Sequence, residues 1–457
     1  VNPIKRIVGL FAAFAACTSI AHAAVSAEEA AQLGGTVLTV IGAERAGNKE
    51  GTIPEYTGKG VKPPLTWDPK IPGQRPDPYG EKPLFSITAE NAAQYADKLD
   101  GMIEVFKRYP DFRMDVYPSH RDYVVPQYVV DNTKKNATLC QAENNEMTLK
   151  GCHGGVPFPI PKNGKQVMWN HLVSYNTFNL IGVAESWLMP TSGAPVLVSR
   201  GEYINNYPFF DPQHVGPQPS DVIYLRFLGK EEAPARLAGQ QTMIIDPVDQ
   251  LNLGRRAYVY VTGRRWVKLA ADLAYDTPNP YAGGSATMDD MRVFYGALDR
   301  YDFELVGKKE KFINYDNFAS TDMKACPVGK IRSTRGYPHP DCIRWELHRV
   351  WVVKATLKPG LRHIYTKRIM YWDEDGFIAG QGENYNKDGK LIRLMSNLYY
   401  PMYESDGAYG GTNVFMDLDT GVWVLSPDTN CEGCGFRAPK ERFPANLFDP
   451  SGMGGAR

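Results

Sequence analysis

Cys431-Glu432-Gly433-Cys434 is the spacing with the most direct chemical reading. Two cysteines three apart are redox-active when they open a helix beside a βαβ unit, where the helix end lowers the thiol pKa. Here the pair follows the last expected strand, in a Gly/Pro-rich stretch with no helix signal, so a structural bridge is expected. Cys326, His339 and Cys342 offer three zinc ligands, but a fourth is missing, and a disulfide is the simpler reading. Asp373-Glu374-Asp375-Gly376 invites a calcium reading. An EF-hand loop needs oxygen ligands at positions 1, 3 and 5, glycine at 6 and glutamate at 12. Counting from Asp373, position 5 is Phe377, position 6 is Ile378 and position 12 is Asn384, so the pattern fails. The cluster reads instead as a turn, as does Asn386-Lys387-Asp388-Gly389, because glycine takes positive φ without steric cost. His348 and His363 lie on either side of one turn and read as solvent-facing strand positions.

Other catalytic signatures are missing. Gly283-Gly284-Ser285-Ala286-Thr287 lacks the last glycine of a nucleophile elbow. There is no phosphate loop, no dinucleotide fingerprint and no His-Glu-x-x-His. No catalytic residue, metal site or cofactor is assigned, and the chain is expected not to be an enzyme. A carbohydrate enzyme working through two acids stays open as an alternative, because carboxylate separation is a spatial quantity.

The N-terminus reads as an address. Lys5 and Arg6 precede an apolar run over 7–16, and Ala21-His22-Ala23 is a small-x-small cleavage site. Residues 1–23 are therefore expected to be a secretory signal peptide; a rival reading acylates Cys17 as a lipoprotein. Removing 1–23 takes two of 51 basic side chains and none of 51 acidic ones, leaving a net charge near −2. A basic nucleic-acid surface is not expected from that balance. No later stretch is long and apolar enough for a membrane-spanning helix. The expected location is the periplasm, or the outer membrane as an associated protein. Of seven cysteines, six remain: Cys140, Cys152, Cys326, Cys342, Cys431 and Cys434. In an oxidising compartment an even count favours disulfides, and sequence proximity pairs them 140–152, 326–342 and 431–434, among fifteen connectivities.

The elements that must position these residues are mostly strands. Ser26 with Glu29 three residues on reads as a helix start. Residues 24–87 form an extended arm, with eight prolines between 54 and 83. A helix is expected over 88–109, from Ala92, Tyr95, Leu99, Met102, Ile103 and Phe106 at helical spacing. Residues 110–165 read as irregular. From 222 the period becomes two, with strands expected around 222–228, 257–261, 265–269, 345–357, 361–373, 377–385, 390–399 and 423–425. A second helix is expected over 287–299, capped by Thr287. The domain so built spans 88–425, followed by a tail over 426–457. The fold class is mainly β with α: one large antiparallel sheet, curled, with two helices covering its hollow. Aromatic residues are abundant, with 26 tyrosines and 8 tryptophans. Tyr258, Tyr260, Trp266, Trp345, Trp351, Tyr365, Tyr371 and Trp372 are the candidates to line an apolar cavity.

Three blocks carry a family resemblance: "VSAEEAAQLGGTVLTVIGAERAGNKEGTIPEYTGKG" (25–60), "FYGALDRYDFELVGKKE" (294–310) and "RVWVVKATLKPGLRHIYTKRIMYWDEDGFIAG" (349–380). The chain resembles the bacterial domain-of-unknown-function family 1329 from about residue 25 to its end. That resemblance implies a fold similar to the lipoprotein carriers LolA and LolB, an incomplete β-barrel with helices plugging its open side around an apolar cavity. It also implies outer-membrane lipoprotein sorting and the company of large envelope exporters. The expected function is a carrier or binding protein for a lipid-like or lipoprotein acyl ligand. An accessory subunit docking on an exporter or outer-membrane protein through the arm is the other alternative.

Overall fold

A computed structural model of the chain describes residues 25–454. The expected signal peptide and Cys17 lie outside them. Among the described residues no helix is long and apolar enough to cross a membrane.

In chain order the strands are β1 (Phe85–Ile87), β2 (Met114–Val116), β3 (Gln141–Glu143), β4 (Thr148–Lys150), β5 (Asn179–Met189), β6 (Val196–Asn206), β7 (Ile223–Ala233), β8 (Gln241–Pro247), β9 (Arg256–Val261), β10 (Trp266–Leu269), β11 (Tyr301–Asn314), β12 (Trp345–Leu357), β13 (Lys367–Asp373), β14 (Gly380–Tyr385), β15 (Leu391–Pro401), β16 (Ala408–Asp417), β17 (Trp423–Asp428) and β18 (Gly435–Arg437). The α-helices are α1 (Ala27–Ala30), α2 (Ala96–Leu99), α3 (Ile103–Arg108), α4 (Gln127–Leu139) and α5 (Gly164–Leu172). All strands but β3 and β4 belong to one sheet. It consists of two antiparallel meanders, β11 to β17 and β5 to β10, joined side by side where β17 pairs with β5. β10 is one end; at the other, β12 pairs with β11 and, through a single parallel bridge, with β2, which pairs with β1, so the curled sheet is mixed and does not close into a barrel. β18 continues the pairing along β5, carrying the sheet into the segment expected as a tail.

Alternation along the strands feeds two cores. On β16, Phe415 joins one, while Val414 and Met416 join the other; on β17, Val424 opposes Trp423 and Leu425 in the same way. The second core is covered by residues 92–108, whose Leu99, Met102, Val105 and Phe106 enter it. The helical period expected over 88–109 is present there but broken. Asp100 takes φ +49 and accepts from Lys309 Nζ (2.6 Å) and Lys311 Nζ (2.9 Å), while Gly101 N–H donates to Glu383 Oε1 (2.8 Å). Charges on β11 and β14 thus turn one helix into short α and 3₁₀ pieces.

The first core is covered by elements that the helical period did not mark. α5, capped by Asn163 accepting from Gln166 N–H (3.0 Å), is buried at every residue but Lys165. His171 places its Nδ1 2.8 Å from the Phe377 carbonyl and its Nε2 2.9 Å from that of Phe294, and its ring stacks on Trp372 with centroids 3.5 Å apart. α4 lies in the stretch expected to be irregular. Half of its buried face is polar (Thr133 and Asn136, beside Val129 and Ala137), and Asn136 donates to the carbonyls of His153 and Val156.

The helix expected over 287–299 is absent; a single 3₁₀ turn, Met288–Asp290, stands there. The carboxylates of Asp289 and Asp290 are drawn to cations on the sheet, and Arg292 and Val293 follow at φ +50 and +70, which no helix accommodates. Residues 287–298 therefore form a strap across the first core. Both predicted turns of the 371–390 stretch exist. Gly389 has φ +75 as expected, but in the first turn the left-handed residue is Phe377 (φ +58). Gly376 is needed for closeness: a Cβ there would lie 2.9 Å from the Tyr123 ring.

Ser26 and Glu29 form a capping box on α1. All three expected disulfides are formed: Cys140–Cys152, Cys326–Cys342 and Cys431–Cys434. Between α1 and β1 the chain holds no regular helix or strand. The arm is nevertheless tied down: Arg75 is buried, donating to Glu404 Oε1 (2.6 Å) and to the Phe436 carbonyl (2.9 Å).

Candidate functional site

Between the strap and the inner face of β5 to β8 lies a cavity of about 140 Å³. Leu180, Tyr203, Leu225, Phe227 and Ile244 wall it from the sheet, and Tyr409, Pro427 and Phe436 close one side. The strap contributes Met288, Met291, Arg292 and Tyr295. None of the lining residues is exposed. The rest of this face is filled by the chain's own α5 and the side chains around it.

The strap is held by a buried charge cluster. Arg368 Nη1 lies 3.2 Å from Asp289 Oδ2, and Nη2 donates to Asp290 Oδ1 (2.8 Å) and to the Val293 carbonyl (3.1 Å). His363 Nε2 is 3.1 Å from Asp289 Oδ2; Tyr365 Oη donates to Asp290 Oδ2 (2.8 Å), beside Arg393 Nη1 (3.3 Å). Thr287 Oγ1 donates to Asp289 Oδ1 (2.7 Å). Burial opposes ionisation of Asp289, but Arg368 and His363 outweigh it and hold the carboxyl at about 2.

Two cations line the cavity, and they differ. Arg255 is neutralised by a fork onto Asp246, 2.8 Å on both bonds, and also donates to the Tyr295 carbonyl (3.0 Å). Arg292 donates through Nη2 to Ser174 Oγ (2.6 Å), and its Nε is buried without a partner. The Tyr295 hydroxyl is likewise buried and unpartnered.

Behind the cavity wall sits Glu231, buried, with Tyr203 Oη donating to Oε2 over 3.4 Å. Burial pushes its carboxyl up to about 8. A raised folded pKa contributes stability that is complete below the unfolded value near 4.5 and is lost as pH rises through about 8. Glu231→Gln, which mimics the protonated acid, should match the parent at pH 4 and melt several degrees above it at pH 9. Parallel melting curves at both pH values would show that Glu231 is not the group responsible.

The eight aromatic residues expected at a cavity fall elsewhere. Trp345 lines a separate void of about 30 Å³ in the second core. Tyr258, Tyr260 and Trp266 lie on β9 and β10 at the end of the sheet, with Trp266 exposed. Tyr365 belongs to the strap-anchoring cluster, Tyr371 donates to Glu383 Oε1 (2.9 Å), and Trp351 carries Lys308 over its ring (4.4 Å). Trp372 stacks on His171 under α5. The cavity is lined instead by residues of β5 to β8, strands whose polar and small residues conceal their inward face, and by a strap whose shape has no local signal beyond Thr287-Met288-Asp289-Asp290.

The acidic stretch 373–375 is a buried turn. His348, Asp373 and Asp375 bring donor atoms within 4.8 Å of one another, the geometry of a metal site. Their atoms already serve ion pairs. His348 sits 3.2 Å from both Glu346 and Asp373; Asp375 pairs with Arg121 (2.7 Å); Glu374 pairs with Arg349 (2.7 Å) and Lys308 (2.8 Å). The His348 and His363 side chains are buried, not solvent-facing: His348 meets Glu346 on its own strand and Asp373 on β13, and His363 meets Asp289 of the strap. A groove of about 400 Å³ under the arm is mixed in character: Pro54, Val61, Pro78 and Tyr79 line it together with Glu55, Lys59, Lys62, His120, Arg121 and Asp122.

A family model described as "Protein of unknown function (DUF1329)" matches residues 86–453. The chain belongs to the DUF1329 family. An uncharacterized protein of Pseudomonas aeruginosa is 37% identical to it over 408 residues, 88% of each chain. Among solved structures, a DUF1329 family protein from Desulfovibrio piger shares 12% identity, with 63% of this chain and 95% of that chain covered, at a TM-score of 0.40. A LolA superfamily protein from Nitrosomonas europaea shares 10%, with 63% and 98% covered, at a TM-score of 0.35. For this DUF1329 member the architecture rests on its own strand pairing: an open, curled sheet, mostly strands, with few helices.

Proposed function

We propose that the protein is a periplasmic binding or carrier protein for a lipid-like ligand, whose apolar tail enters the cavity under the strap. The observation that carries this reading is the cavity itself: an unfilled space with mainly aromatic and aliphatic walls inside an otherwise packed core. Two of the strap's wall residues are methionines, which repack easily around different shapes. The three disulfides suit an oxidising compartment.

Size sets a limit. A dry engineered cavity of about 150 Å³ takes one benzene, so this one matches about six carbons. At ~0.8 kcal/mol per methylene that is about 5 kcal/mol before ordering costs, a millimolar interaction at best. Tight holding of a longer chain then requires the strap to yield. Affinity for a series of alkyl ligands should rise about four-fold per added methylene and continue to rise past eight carbons. Titration calorimetry on the mature protein checks this, with Ile244→Trp, which fills the cavity, as the blocked control. Failure of every chain length to bind, with the parent and the control alike, would remove the carrier reading.

A further inference from the structure

The cavity has a polar corner that the protein itself leaves incomplete. Of 38 ion pairs among the described residues none involves Arg292, so no carboxylate lies within 4.0 Å of its guanidinium. Its only side-chain partner is the neutral Ser174 Oγ, and its Nε–H points to nothing. A cation held beside apolar walls without a counter-ion is costly. The buried arginines nearby have carboxylates: Arg255 has Asp246, Arg368 has Asp289 and Asp290, Arg393 has Asp290 and Asp417. The Tyr295 ring lies 5.4 Å from the Arg292 guanidinium carbon, and its buried hydroxyl is a second unused donor. Burial, the largest influence on that phenol, keeps it protonated, hence a donor. The backbone fixes this corner: Arg292 sits at φ +50, with its N–H donated to Asn413 Oδ1 (2.6 Å). Strained non-glycine residues persist where surrounding structure over-determines them, and they cluster at ligand clamps.

We propose that Arg292 and Tyr295 bind the oxyanion head — carboxylate or phosphate monoester — of an amphiphile whose tail fills the cavity. This rests on the tail-binding reading above and narrows it. A guanidinium edge matches a planar or tetrahedral oxyanion through parallel N–H bonds, and the phenol O–H completes the set. An acylated protein presents neutral linkages at the base of its chain and would leave Arg292 unpaired.

The test compares four eight-carbon probes on the mature, disulfide-intact protein: octanoate, octyl phosphate, octanol and octyltrimethylammonium. Octanoate or octyl phosphate should bind at least ten-fold more tightly than octanol, the scale of hydrogen bonds to charged groups, and the ammonium should bind more weakly than octanol. The better of the two anions identifies the head group. Arg292→Gln should bring the ratio of anion to octanol affinity close to one. Tyr295→Phe, which removes a single hydroxyl, should lower that ratio about five-fold and serves if Arg292→Gln does not fold. Equal binding of octanoate, octyl phosphate and octanol overturns the head-group assignment while leaving tail binding standing. Absence of binding by all four overturns both.

Discussion

Arg368→Ala should lower the unfolding free energy by about 3–5 kcal/mol at pH 7, the cost of leaving buried charge without its partner. Arg368 is fully buried, and it faces two adjacent carboxylates on the strap, Asp289 and Asp290. Its removal leaves Asp289 with His363 and Asp290 with Arg393, one short of the neutral arrangement. The deficit should depend on pH in a definite sense. In the parent, the depressed Asp289 pKa contributes stability present above about 3.8 and lost as pH falls through about 2. In the variant the carboxyls lose their main cation, so burial raises them and ionisation becomes a cost. The gap between the two proteins should therefore be widest near neutrality and shrink on acidification. Urea unfolding at pH 7 and pH 4 measures both. A loss under about 1 kcal/mol at pH 7, or a gap that widens in acid, would show that the cluster does not fasten the strap.

Trp372→Ala should cost about 3–5 kcal/mol, the range for emptying a large aromatic site in a packed core. Its side chain is fully buried, stacked on His171 of α5, and so close to Gly380 that a Cβ there would lie 2.6 Å from the ring. The site is shut in by a helix on one side and a glycine on the other, so it has little freedom to collapse. Trp372→Phe should lose less. Because Trp372 lies under α5 and not on the cavity lining, the folded variant should retain alkyl-ligand affinity within a few-fold. A loss of binding with near-parental stability would place Trp372 in contact with ligand after all.

Some elements were readable because their determinants are local. The strand expected over 345–357 is β12, and the turn at Gly389 follows from glycine chemistry. β11, the longest strand, was not readable. A register shift between Leu305 and Gly307 breaks its alternation, and the following Lys308, Lys309 and Lys311 resemble a solvated run. In the fold those lysines meet Glu374 and Asp100, residues far away in the chain. α4 was hidden for the converse reason: half of its inward face is polar, and Asn136 there serves the carbonyls of a neighbouring loop. The strap at 287–298 carries helical spacing, yet its two aspartates gain more from Arg368, Arg393 and His363 than from a helix start.

By itself, the sequence determined the family, the predominance of β-structure, some of the hairpins and all three disulfides. These depend on short spacings: period two, Asp-Gly turns, and cysteines that are neighbours in the chain. Tertiary structure alone decided where the cavity lies, which side chains wall it, and that Arg292 stands there without a counter-ion. Each of those facts depends on charges and surfaces that meet across hundreds of residues, and the energy of burying a charge is set by what surrounds it in space, which no local pattern encodes.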